Sequence, residues 1–113
     1  MRKLNEEEKE RVYNEYLEKA MSYITDGLII PPQDINGLCR WIVYGIAPGS
    51  FLKSVITNDL SGAFSNADID NMHNLFAVVS FMYNKAPAGC WGSEERMQEW
   101  KGLANYMESP HGT

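Results

Sequence analysis

Cysteine and histidine are scarce: the 113 residues hold two of each. Neither Cys39 nor Cys90 stands in a Cys-x-x-Cys or Cys/His cluster of the kind zinc requires. No metal centre is expected, and both thiols should be reduced and mostly buried. Cations are scarce too. Ten Lys and Arg against fifteen Asp and Glu leave a net charge of −5. That balance opposes a phosphate backbone as partner, because such affinity rests on clustered cations displacing counterions, so no nucleic-acid partner is expected. No window approaches the ~20 apolar residues of a membrane span. The opening MRKLNEEEKER lacks the apolar segment of a secretory signal, so no membrane association is expected and the cytoplasm is the expected compartment. Gly-x-Ser-x-Gly is missing, and Lys53 is misplaced for a phosphate-binding Gly-Lys-Ser/Thr. Without a nucleophile motif no enzyme and no cofactor are expected.

What is there suffices for a core. Apolar residues make up 44% and aromatics 12% of the chain, enough for one domain over residues 1–113 that folds alone or as a small homo-oligomer. Asn5 and Glu8 have the spacing of a capping box, and Val12, Tyr13, Tyr16, Leu17, Ala20, Met21 and Ile24 recur at three and four, predicting a helix over about 6–24. Asp26-Gly27 and Pro31-Pro32 make 25–33 a connector. A second helix opens near Gln33 or Asp34, turns Ile35, Leu38, Cys39 and Ile42 inward and closes at Gly45.

From Pro48 and Gly49 the spacing of Phe51, Leu52, Val55, Ile56, Leu60, Ala63, Phe64 and Ala67 predicts one helix to about Ser65. Asp68 caps another, with Ile69, Met72, Leu75, Phe76, Val79, Met82 and Tyr83 on its inner stripe. The short connection between these two makes them an antiparallel pair. PAGCWG, residues 87–92, is a turn-rich corner that should fold back on the bundle. Ser93 then starts a last helix with Met97, Trp100, Leu103, Ala104 and Met107 inward, before a frayed tail. The expected fold is all-α: a compact bundle of four to five helices with a central antiparallel pair.

PGSFL, TNDL, ADIDN and YNKAPAGCWGS follow one another between Pro48 and Ser93. In that order they resemble a family of small accessory proteins of tailed phages and prophages, with a pattern of the type PGxFL, NDL, AD, PxxCWGS. The resemblance covers about residues 45–101. Residues 1–44 lack the pattern, the helical region continues to about 107, and 108–113 form the tail. The resemblance implies a phage genome and a non-structural role such as interference with a host process in the host cell cytoplasm, and it brings no catalytic residues.

Four groups of residues could carry function. Asn58 and Asp59, with Asn71, His73 or Asn74 from a neighbouring helix, could make a polar pocket for a base or sugar; alternatively they satisfy backbone N–H groups of a loop such as 87–92. Asp68, Asp70 and Asn71 offer oxygens for a hard cation, but the spacing of a calcium loop is absent and a helix cap is the better reading. Gly49 and Ser50 could hold an anion at a helix start, or simply cap it. Tyr13 and Tyr16 divide evenly between core and interface, whereas Trp91 favours the core. His73 reads as a surface residue and His111 as part of the tail. The expectation is a non-enzymatic accessory protein that binds and inhibits a host protein, in one version a bacterial defence component. The alternative is a binding protein that sequesters a nucleotide signal through Gly49, Asn58, Asp59 and Asn71.

Overall fold

The computed structural model describes residues 3–106; Met107, His111 and the 108–113 tail lie outside the described residues. The first helix, α1 (Glu6–Ser22), starts as the capping box requires: the Glu8 backbone N–H donates to Asn5 Oδ1 at 2.8 Å, and the Asn5 N–H donates to Glu8 Oε1 at 2.9 Å. Two otherwise orphaned donors are thereby satisfied. Val12, Tyr16 and Ala20 are its buried stripe.

α1 ends two residues earlier than its apolar periodicity suggests. Ile24–Thr25 (β1) pairs antiparallel with Leu28–Ile29 (β2), so Ile24 belongs to a strand and part of the expected connector is a hairpin. Asp26 and Gly27 both have left-handed φ, 50° and 76°. Positive φ at both central residues is the geometry of the tight turn that matches the twist of a two-stranded ribbon.

Pro32 occupies the first turn of α2 (Pro32–Tyr44), where its missing N–H costs nothing. Gly45 closes the helix in the left-handed conformation. α2 is the axis of the molecule: Leu38, Cys39, Trp41, Ile42 and Val43 are all buried, and α1, α3 and the 3₁₀ turn Leu103–Asn105 pack on it.

The single helix expected over 49–65 is two helices, α3 (Ser50–Ile56) and α4 (Leu60–Asn66), packed on each other. The break is at Asn58, whose φ of 61° leaves the helical region. The next expected helix is likewise divided into α5 (Ile69–His73) and α6 (Leu75–Asn84). The last, α7 (Glu94–Glu99), is short: Trp100 is extended and Gly102 has φ 98°. Each member of the expected antiparallel pair is thus itself divided. The fold is all-α with seven α-helices among the described residues, more than the four to five expected.

The corner 87–92 does fold back. Cys90 is buried, the Gly92 N–H donates to Ile56 O at 2.7 Å, and Trp41 Nε1 donates to Cys90 O at 2.9 Å. Trp100 Nε1 in turn donates to Trp41 O and Ile42 O at 3.1 and 3.2 Å. Among the described residues no helix is long and apolar enough to cross a membrane.

Candidate functional site

Asn58 and Asp59 form the corner between α3 and α4. The Asn58 and Asp59 N–H groups donate back to Val55 O and Ser54 O at 3.1 and 2.8 Å, closing α3. Asp59 then caps α4, its Oδ1 accepting from the Gly62 N–H at 2.9 Å. The donor that Asp59 meets is therefore three residues ahead in its own helix, rather than in the 87–92 loop. Its negative charge also lies at the positive end of that helix.

Asn71 is elsewhere. It is buried on α5, with its N–H donating to Asp68 Oδ1, the cap of that helix, at 2.8 Å. Gln33 Nε2 holds the other Asp68 oxygen at 3.2 Å. Asp34 is buried beside them, and burial first, then the charge of Asp68, push its carboxyl from the ordinary 3.8 up to about 6, against a hydrogen bond from Asn71 that lowers it. Asp34 Oδ2 and Asn71 Oδ1 are buried without a protein partner. Asp68 thus acts as a cap, and among the described residues no group of three or more His, Cys, Asp or Glu is placed to hold a metal ion.

Gly49 and Ser50 open α3, with Gly49 as its cap residue and Ser50 exposed. Tyr16 belongs to the core; burial chiefly, then the neighbouring Cys90, Glu15 and Cys39, raise its phenol. Tyr13 is half-buried in the seam between α1 and α2, its ring centroid 5.6 Å from that of Tyr44 and its hydroxyl donating to Asn36 Oδ1 at 3.3 Å.

The structure leaves open to solvent a set of residues that periodicity assigned to the core. α6 buries Ala77, Val78, Phe81 and Met82; of the stripe expected inside, Met82 is buried and Leu75 is half-buried against the core, while Ile69, Met72, Phe76, Val79 and Tyr83 are turned outward. Ile69 is 87% exposed, Tyr83 78%, Leu60 77%, Phe64 65% and Phe76 57%, with Met72 and Val79 also open to solvent. Leu60, Ala63, Leu75, Val79 and Trp91 line a groove whose rim is Asn58 and Asp59. Val79 continues it into a second cleft with Phe76 and Tyr83. Tyr83 packs edge-on against Trp91, their centroids 6.4 Å apart.

No family model, no curated protein and no solved structure matches the chain. What the face can do follows from its own chemistry. Adjoining apolar side chains left in water cost free energy that a second surface recovers, and aromatic anchors such as Phe76 and Tyr83 concentrate that gain. The signal in the sequence was the apolar run of α6, LFAVVSFMY, which offers more apolar side chains than one buried stripe can use.

Proposed function

We propose that this chain is a non-enzymatic, phage-encoded accessory protein that binds a protein in the host cytoplasm and inhibits it, with the outer face of α4, α5 and α6 as its contact surface. The observation that supports this reading is the set of large apolar side chains between Leu60 and Tyr83 held open to solvent, of which Leu60, Phe76, Val79 and Tyr83 line adjoining clefts. A nucleotide ligand fits the corner at Asn58 and Asp59 less well. From residue 54 to 84 there is no Lys or Arg to meet phosphates, and Gly49, Ser50 and Asn71 do not line the groove that Asn58 and Asp59 border.

The test is capture from a bacterial lysate with the wild-type chain and with a Phe64→Glu, Phe76→Glu variant. The wild type should retain a bacterial protein that the folded variant does not. Equal retention by both would overturn the proposed surface. A thermal-shift screen with nucleotides is expected to show no stabilisation, since any ligand held only by the native state raises its melting temperature.

A further inference from the structure

Polar contacts hold α5 to the molecule. Its buried residue is Asn71, while Ile69, Asp70, Met72 and His73 are exposed, so apolar burial supplies little of its attachment. The chain from β2 into α2 clamps it instead. The Ile29 N–H donates to Asn74 Oδ1 at 3.2 Å at one end, and Gln33 Nε2 donates to Asp68 Oδ2 at 3.2 Å at the other. Between these, the Asn71 side chain donates to the buried Asp34 carboxyl. Asp34 Oδ2 and Asn71 Oδ1 are buried with no protein partner, so that bond runs from Asn71 Nδ2 to Asp34 Oδ1. We propose that Asp34 and Asn71 are a proton-operated latch for α5: protonated, Asp34 Oδ2 donates to Asn71 Oδ1 and completes a two-bond acid–amide pair; ionised, it leaves two acceptors side by side and loosens the helix.

One proton answers both orphaned atoms. A buried acceptor without a donor is unfavourable, and here one stands on each of two planar groups already joined through their other ends. Among the described residues, the groups that bear on Asp34 are Asp68, whose charge opposes ionisation, and Asn71. Asp70 and His73, the other titratable groups of α5, are exposed, and residues 28–33 bring none. Burial first, and then Asp68, raise the Asp34 carboxyl to about 6 while the latch is closed, against 3.8 for an ordinary carboxyl in the open chain. The closed form therefore binds the proton more tightly. The latch holds fully in acid, below the open value, and its extra hold is lost as pH rises through about 6. At neutral pH α5 keeps its ties to Ile29 and Gln33 but rests on a buried carboxylate, which opening returns to water.

The test uses the whole chain carrying His73→Gln, which takes the histidine of α5 out of the reading. Carbon NMR should show the Asp34 carboxyl titrating near 6, with the Asn71 side-chain amide shifting at the same midpoint. The Met72 and Asn74 N–H groups, bonded to Asp68 O and Asp70 O, report on α5 itself. Corrected for the intrinsic pH dependence of exchange, their opening equilibrium should be about tenfold larger at about pH 8 than at about pH 5. Asp34→Asn supplies a permanent donor to Asn71 Oδ1, so it should abolish that difference and hold α5 closed at both pH values. An Asp34 midpoint at or below the ordinary 3.8 would overturn the proposal, since water or an ion would then be the missing donor. So would α5 exchange without a step at the Asp34 midpoint, a step that persists in Asp34→Asn, or an Asp34→Asn chain that melts below its parent at about pH 8.

Discussion

Gly45 and Gly102 meet backbone against backbone: a Cβ on Gly102 would stand 2.6 Å from the Gly45 nitrogen, and one on Gly45 would stand 3.0 Å from the Gly102 nitrogen. Both have left-handed φ, 72° and 98°. Strain and overlap therefore act together at either position. Gly102→Ala should destabilise the fold by about 2 to 4 kcal/mol, read as a fall in melting temperature of roughly 10 °C or more. An unchanged melt would mean that the two chain segments do not approach so closely.

Asp59 and Asn58 make separable contributions. Asp59→Ala removes the acceptor for the Gly62 N–H and should cost about 0.5 to 2 kcal/mol, whereas Asp59→Asn keeps a cap and should cost much less. Asn58→Ala puts a Cβ-bearing residue without a compensating side chain into the left-handed region, for about 1 kcal/mol, while Asn58→Gly should be close to neutral. Chemical denaturation of the four variants checks the order.

Asp34 should make stability depend on pH in the direction opposite to a salt-bridged carboxylate. Its unfolded value is near 3.8 and its folded value about 6, so between them the folded state binds more protons. Stability should fall as pH rises through that window, by about 1 to 3 kcal/mol, and level off above it. Asp34→Asn should flatten this part of the profile and raise stability at neutral pH, measured by denaturant titration at closely spaced pH values.

Cys39 and Cys90 are both buried, and burial pushes their thiols up to about 11 and about 12. At pH 8 in the native protein the thiolate fraction is cut about a hundredfold or more relative to an ordinary cysteine. A disulfide-exchange reagent should therefore react slowly with both until denaturant is added, and mass spectrometry without reductant should find two thiols.

The parts of the fold legible in the sequence were those governed by local rules. Asn5 with Glu8, Gly45, and Asp68 with its following turn each satisfy a backbone requirement within a few residues, and each marks a helix end in the structure, whereas Pro32, expected in the connector, is the first residue of α2 because a first-turn residue needs no N–H. The break at Asn58 was masked because Val55, Ile56, Leu60 and Ala63 keep helical spacing across it, even though a left-handed residue intervenes. Strands of two residues are too short to show alternation, so Asp26-Gly27 looked like a helix stop rather than a hairpin. The inward side of α6 could not be chosen from periodicity, since most of its residues are apolar and tertiary packing decides which of them are covered. For the candidate site, Asn58 and Asp59 were legible as polar groups needing partners, but their role at a corner depends on that same break. The burial of Asp34 beside Asp68 and Asn71 arises from contacts more than thirty residues apart and left no mark in local spacing.

The bonds that Trp41 and Trp100 make to distant carbonyls bear on how the molecule opens. Residues 87–106 hold only short helical segments, yet lifting them away would strand the Trp41 indole N–H inside the core and part Gly102 from Gly45. Their release is therefore tied to the disruption of α2. Residues 87–106 and the central helix should open as one cooperative unit, with their amide protons exchanging at similar free energies.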